Sequence, residues 1–375
     1  MKEIPVCPRC RIPLMISREL RWGSNGVITL ARSPENRMVL YESRVIDNLF
    51  RGIEELIGMP IEHIVIESRR REVRRYIERR FPPLIGRMFR VLKGHLAGNG
   101  PLSRVVRVPV REVAKRVTMR VMEIGAVYGY GRSIPGEGWE EGDPFPWRTN
   151  VVSRPYSIPF WVADALGSAE AVEGDDLWAR YEQVGEEVYR VIAYPSEHPV
   201  ELKERLHRKR VRAFKPGDIS YERCPSCGLP ADLARYRWDT EEGTITDSET
   251  GWRMAIFGPA ALEAVLADLE SELGEEIPGV IVEAQRRYVK DRTGEMNWRR
   301  GGITFNRLTA LRGMGNLTFF EADEKHLSLT IENSCLPHLM VGMAQALYEI
   351  ALNLEKSTYE WEQSDDGDLH IVVKV

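Results

Sequence analysis

"YERCPSCGLPADL" (221–233) carries Cys224 and Cys227 in a Cys-Pro-x-Cys knuckle, and "VCPRCRIPLM" (6–15) carries Cys7 and Cys10 in another. A tetrahedral zinc site takes four ligands, and one Cys-x-x-Cys pair supplies a single edge of the tetrahedron. His63 and His198 are far from both knuckles in sequence. The knuckles are therefore two half-sites, or one site assembled from the two ends of a duplication.

Laying one knuckle on the other favours the second reading. Cys7-Pro8-Arg9-Cys10 matches Cys224-Pro225-Ser226-Cys227, Arg21-Trp22 matches Arg237-Trp238, and "GVIT" (26–29) matches "GTIT" (243–246). Arg37-Met38 then matches Arg253-Met254, and "IVIESRRREV" (64–73) matches "VIVEAQRRYV" (280–289), always at an offset of 216 or 217. Further on, "AVYGYGRS" (126–133) matches "ALRGMGNL" (310–317) at an offset of 184, and Pro159 aligns with Pro337. This divides the chain into a first repeat (1–195) with insertions near 81–110 and 136–149, a linker (196–221) and a second repeat (222–375). The middle of the linker reads as a helix.

Each repeat predicts the same order of elements. After the knuckle comes a hairpin, signalled by Asn25-Gly26 in the first repeat. Ile46, Leu49, Phe50, Ile53, Leu56 and Ile57 then follow the spacing of a buried helical stripe, as do Leu262, Val265, Leu266, Leu269 and Leu273. A strongly charged helix, a Gly-x-Gly turn between strands, a helix opened by Pro159 or Pro337 and a closing hairpin complete the unit. The fold class is α+β: two tandem pseudo-symmetric repeats, each with a zinc half-knuckle and hairpin, helices and an antiparallel sheet.

The run "GMGNLTFFEADEKHLSLTIENSCLPHLMVGMAQALYEIAL" (313–352) resembles the 4-vinyl-reductase domain, clearly over about 300–375 and more weakly over 115–193. That domain is similar in fold to haem-nitric-oxide-binding sensors and to transport-particle subunits. The resemblance implies a small apolar ligand in a closed pocket and a role as sensor, carrier or accessory subunit. It points to Tyr156, Phe160, Trp161, Asn333, His338, Met340 and Met343 as ligand-binding residues. Aromatic-sensing members hold zinc through cysteines near the domain's end, but no cysteine follows Cys335, so that site does not carry over.

From the residues alone, Cys7, Cys10, Cys224 and Cys227 are the metal ligands, one structural zinc shared between the repeats. The bland reading of Phe160, Trp161, Met340 and Met343 is a core helix with methionine as gap-filler. Gly129-Tyr130-Gly131 and Gly313-Met314-Gly315 lack the third glycine of a dinucleotide fingerprint and read as strand bends. Trp139, Phe145 and Trp147 in the 136–149 insertion fit either a lid or packing onto the body of the repeat.

Residues 67–120 hold sixteen Lys or Arg against four Asp or Glu, in a chain of net charge −4. That block suits an acidic partner or nucleic acid, or a solvated helix face paired with the acidic remainder. No apolar run is long enough for a membrane span, and paired cysteines with no secretory leader read as a cytoplasmic metalloprotein. No nucleophile–base pair, carboxylate pair or open metal site is visible, so the reading leans away from an enzyme. The alternatives are an enzyme or subunit acting on an apolar ring or tetrapyrrole, and a scaffold or nucleic-acid-associated regulator working through 67–120. A homodimer is compatible with all three.

Overall fold

The computed structural model describes residues 4–80, 101–141, 143, 145–198, 213–292 and 301–375. The chain begins with a knuckle that runs into a short helix α1 (Leu14–Glu19) and strands β1 (Leu20–Trp22), β2 (Ile28–Leu30) and β3 (Ser33–Glu42). Helix α2 (Ser43–Ile57) follows, buries Val45, Ile46, Leu49, Phe50 and Ile53, and ends at Gly58. Glycine fits there because φ is 74°, a left-handed C-cap. The predicted stripe is buried from Ile46 to Ile53, whereas its last members, Leu56 and Ile57, are half-buried where the helix ends.

Next come the charged helix α3 (Glu62–Arg80) and α4 (Pro101–Val127), then β4 (Arg132–Pro135), α5 (Gly138–Glu141) and β5 (Thr149–Ser153). Helix α6 (Ile158–Glu173) has Ser157 as N-cap and Pro159 in its first turn, and β6 (Leu177–Gly185) and β7 (Val188–Pro195) close the segment. The 81–110 insertion lies largely outside the described residues, as does the middle of the linker, 199–212.

The remaining elements are β8 (Tyr236–Asp239), β9 (Thr244–Asp247), β10 (Arg253–Phe257), α7 (Pro259–Leu273), α8 (Ile277–Arg292) and α9 (Gly301–Leu311). They continue through β11 (Asn316–Ala322), β12 (His326–Glu332), α10 (Pro337–Leu352), β13 (Thr358–Gln363) and β14 (Leu369–Lys374). The fold is mixed α+β with antiparallel sheets. Among the described residues no helix is long and apolar enough to cross a membrane.

Two compact units result, and they are not the two sequence repeats. One comprises 1–61, 208–237 and 246–375; the other comprises 62–207 with 238–245. In the first unit, β11-β12-β14-β13 form one sheet. Its inner residues Leu327, Leu329, Ile331, Leu369, Ile371 and Val373 are buried, the alternation expected of a half-covered sheet. Strand β3 pairs antiparallel with β10 with Leu40 opposite Ile256, within a six-stranded order β1-β2-β3-β10-β9-β8. The tip of the β8–β9 hairpin counts with the second unit, whose own sheet runs β4-β5-β7-β6.

Each unit packs an apolar helix against a charged one: α6 on α3, and α10 on α8. Both contacts are made at a glycine. A Cβ on Gly167 would stand 2.5 Å from the Arg70 carbonyl oxygen and 2.8 Å from the Arg74 nitrogen. One on Gly342 would stand 2.5 Å from the Val282 carbonyl oxygen. These are backbone atoms, so the helices themselves must part. Gly167→Ala or Gly342→Ala should therefore cost about 1–3 kcal/mol in urea unfolding, as overpacking does elsewhere. Alanine's better helix propensity, worth about 1 kcal/mol, does not offset it; an unchanged midpoint would contradict this packing.

Candidate metal centre

The two knuckles fold alike for reasons visible in the backbone. In the first, the Cys7 N–H donates to Ile12 O (2.8 Å), the Arg11 N–H donates to Cys7 O (3.0 Å), and Val6 bridges Pro13. In the second, the Cys224 N–H donates to Leu229 O (2.8 Å), the Gly228 N–H donates to Cys224 O (2.8 Å), and Arg223 bridges Pro230. The tight turn needs a left-handed residue. Gly228 supplies it at φ 73°, whereas in the first knuckle Arg11 holds φ 62° despite its side chain.

The cysteines come together within the first unit. Cys7 Sγ lies 3.8 Å from Cys224 Sγ, and Cys10 Sγ lies 3.5 Å from Cys227 Sγ. All four sulfurs fall within 4.8 Å of one another. A disulfide needs about 2.05 Å, so these are free thiols. Four sulfurs converging on one point, with the leading cysteine of each knuckle buried, are compatible with a metal site.

Local N–H groups prepare the leading cysteines. The N–H groups of Ser226 and Cys227 bring the Cys224 thiol down to about 6. Burial opposes ionisation at Cys7, but the N–H groups of Cys10 and Arg9 outweigh it and lower its pKa too. Burial pushes Cys10 and Cys227 up. In each knuckle the leading cysteine is thus the easier to ionise and the second the harder, and any thiol that still carries its proton releases it when a metal binds.

The second unit holds a buried ionic cluster that the sequence reading did not anticipate. Arg70 on α3 bonds Glu67 (2.5 Å) and Glu170 of α6, and all three side chains are at most 2% exposed. His198 plugs in from beyond β7, with Nδ1 3.0 Å from Glu67 and Nε2 2.8 Å from Glu170. Glu170 also accepts from the Leu177 N–H (2.8 Å), while Arg74 lies 3.2 Å from Asp176 and 3.6 Å from Glu170. Glu170, Asp176 and His198 have metal-ligand chemistry, but their atoms are engaged by arginines and by one another. In the first unit Arg286 and Lys290 of α8 meet Glu349 of α10, each at 2.9 Å.

This cluster sets a pH window. Burial lowers the His198 pKa, but bonds to Glu170 and Glu67 outweigh it and hold the ring at about 9, above its ordinary 6.5. Its contribution is complete below pH 6.5 and is lost as pH rises through about 9. Burial likewise raises Glu67, and bonds from His198 and Arg70 outweigh it, leaving it at about 2 against an ordinary 4.5. That contribution is complete above 4.5 and is lost as pH falls toward 2. The melting advantage of the wild type over His198→Gln should therefore shrink between pH 6.5 and 9. A pH-independent difference would contradict the assignment.

The residues proposed for ligand binding divide between the units. In the second unit, Tyr156 donates to Asp164 (2.7 Å) and stacks on Tyr130 at 4.2 Å. Phe160 lies under the Arg69 guanidinium at 5.0 Å, and the Trp161 Nε1 donates to Ser133 (3.2 Å). Arg69, Asp164 and Tyr130 belong to this group and were missed, because "SRRR" reads as a solvated run. In the first unit, Met340 is buried, Met343 is half-buried, and His338 meets Trp361 edge-on at 5.1 Å. Asn333 has a different role: its amide grips the backbone of Lys215, accepting from the Lys215 N–H at 2.7 Å. A shallow depression of about 310 Å³ between Arg51, Glu54, Glu55, Gly58, Met59 and Pro60 touches none of them.

At two places packing bears on alternatives that the sequence leaves open. Trp147 is buried with its Nε1 on Glu173 (2.8 Å), and Phe145 and Trp139 group around it, so this aromatic cluster packs onto the second unit rather than standing free as a lid. Arg69 and Arg70, within the basic block, are buried and paired with Asp164, Glu67 and Glu170 rather than presented on a basic face. No protein-family profile matches the chain, and a search of curated proteins gives no match either.

Proposed function

We propose that the chain is a tandem duplication of a 4-vinyl-reductase-like unit whose four knuckle cysteines hold one structural zinc. On this reading it is a non-catalytic protein that binds a small hydrophobic or aromatic molecule as sensor, carrier or accessory subunit. The observation that carries the metal half is the cysteine cluster: residues 217 positions apart bring their sulfurs to 3.8 and 3.5 Å. Zinc–thiolate bonds of about 2.3 Å in a tetrahedron set sulfurs about 3.8 Å apart. Four thiolates leave no open position, so the ion would supply folding energy and no chemistry.

The duplication is supported by matched details. The Glu67–Arg70–Glu170 and Glu283–Arg286–Glu349 sets recur, the first buried throughout and the second with Glu283 half-exposed, and Glu67 and Arg70 each lie 216 residues before their counterparts. Arg154 and Asn333, each just before an apolar helix, both hold φ 52°. Helices α6 and α10 are both sixteen residues long, starting at Ile158 and Pro337, which shifts the alignment of this segment by one and sets Glu170 against Glu349. His338 then corresponds to Pro159.

The ligand half rests on the resemblance, with the aromatic group around Tyr156 and Phe160 as its best location. Native mass spectrometry of protein purified without added metal tests both halves. One zinc per chain and a small apolar molecule released by organic extraction are expected. Two zincs per chain would defeat the shared site, and chains carrying zinc but no molecule after screening apolar aromatics would retire the ligand reading.

A further inference from the structure

We infer that the two copies are joined by reciprocal exchange: each copy's knuckle hairpin docks on the other copy, so the partner each half recognises is the other half. This rests on the duplication reading above and goes beyond it, because a shared metal alone does not require exchanged arms.

The argument starts from two tryptophans that align at an offset of 216. The Trp22 Nε1 donates to Leu311 O (2.8 Å), and the Trp238 Nε1 donates to Val127 O (3.0 Å). The acceptors align as well, at an offset of 184. Next to them, the Gly315 N–H donates to Gly26 O (3.1 Å) and the Gly131 N–H donates to Gly243 O (2.8 Å). Both bonds again join a hairpin of one copy to the Gly-x-Gly turn of the other. The approach is close enough to be selective. A Cβ on Gly26 would fall 2.2 Å from Gly315 O, and one on Gly243 would fall 2.3 Å from Gly131 O. Donor, acceptor and steric fit are therefore duplicated together, in opposite directions.

Strand pairing follows the same rule. Leu40 faces Ile256, its own counterpart, and Glu42 faces Met254 while Val39 faces Phe257. Equivalent residues face each other in this way when a two-fold axis passes through the central pair, as in an isologous interface. Cys7 beside Cys224 and Cys10 beside Cys227 obey it too. The first arm is held further by the Arg37 guanidinium, which donates to Gly313 O (2.6 and 3.0 Å), and by the Leu40 N–H, which donates to Arg312 O (2.9 Å). Each arm thus belongs to one copy by sequence and to the other by packing, and the covalent link is dispensable once folding is complete.

The test uses the full chain with a protease site inserted within residues 199–212 and cut after folding. The cut pieces should remain a 1:1 pair at micromolar concentration in native mass spectrometry, with and without chelator. The Gly315 and Gly131 amides should stay protected from hydrogen exchange in that pair. If the pieces part on chelation alone, the shared metal stands and the exchange is overturned. If they part with metal bound, both readings fail. A pair that persists while those two amides exchange freely overturns the docking assigned to the hairpins.

Discussion

Replacing Cys224 by Ser should release the metal and lower the melting temperature of the first unit by about 10 °C or more. In isolated knuckle peptides the ion contributes on the order of 10 kcal/mol, because nothing else holds the ligands together. Here part of that work is done by β3–β10 pairing and by the backbone bonds inside each knuckle. The loss is therefore smaller. Cys224 is the choice because its sulfur is the one most stabilised as a thiolate. Cys335→Ser is the control: it is buried beside Met314 and away from the cluster, so its metal content should be unchanged. Elemental analysis and calorimetry on the two variants decide the matter, and a C224S protein with full metal content would refute the site.

Glu170→Ala should destabilise the second unit by about 3–5 kcal/mol, the scale seen when one member of a buried ion pair is removed. Arg70 and His198 would then share Glu67 alone. Replacing charges together, Arg70→Met with Glu170→Leu, should cost much less than the sum of the single changes, since no orphaned arginine remains. Urea unfolding of the three variants measures this. A Glu170→Ala cost below about 1 kcal/mol would place the cluster among solvent-screened surface pairs. In the first unit Arg286 keeps Glu283 and the Glu355 carbonyl when Glu349 is lost, so Glu349→Ala should cost less.

Much of the fold can be read from the chain because its signals are local and periodic. The stripe from Ile46 to Ile53, the Asn25-Gly26 turn and the prolines opening α6 and α10 each act within a few residues of themselves. The cysteine cluster is legible for another reason: two incomplete half-sites call for each other. The buried ions escaped that reading. Arginines in a run look like a wet surface, and only the position of Glu170 on a facing helix shows that Arg70 points inward. His198 was equally silent, since a histidine in a charged linker carries no sign that two carboxylates wait for it. Nor does any local pattern say which copy a hairpin docks on. Trp22 packs on Leu311, 289 residues away, through a backbone carbonyl that leaves no mark in side-chain sequence.

The spacing of the knuckles also has a consequence during synthesis. Cys7 leaves the ribosome 217 residues ahead of Cys224, its neighbour in the finished cluster. At about 5–20 residues per second, the first half-site waits roughly 10–40 s before its complement exists. Through that interval the nascent chain displays a solitary dithiol, open to borrowed ions and to oxidants. An ion held by all four cysteines can therefore be enclosed only after residue 227 has been made, so the supply of that ion during synthesis would bear on the yield of folded protein.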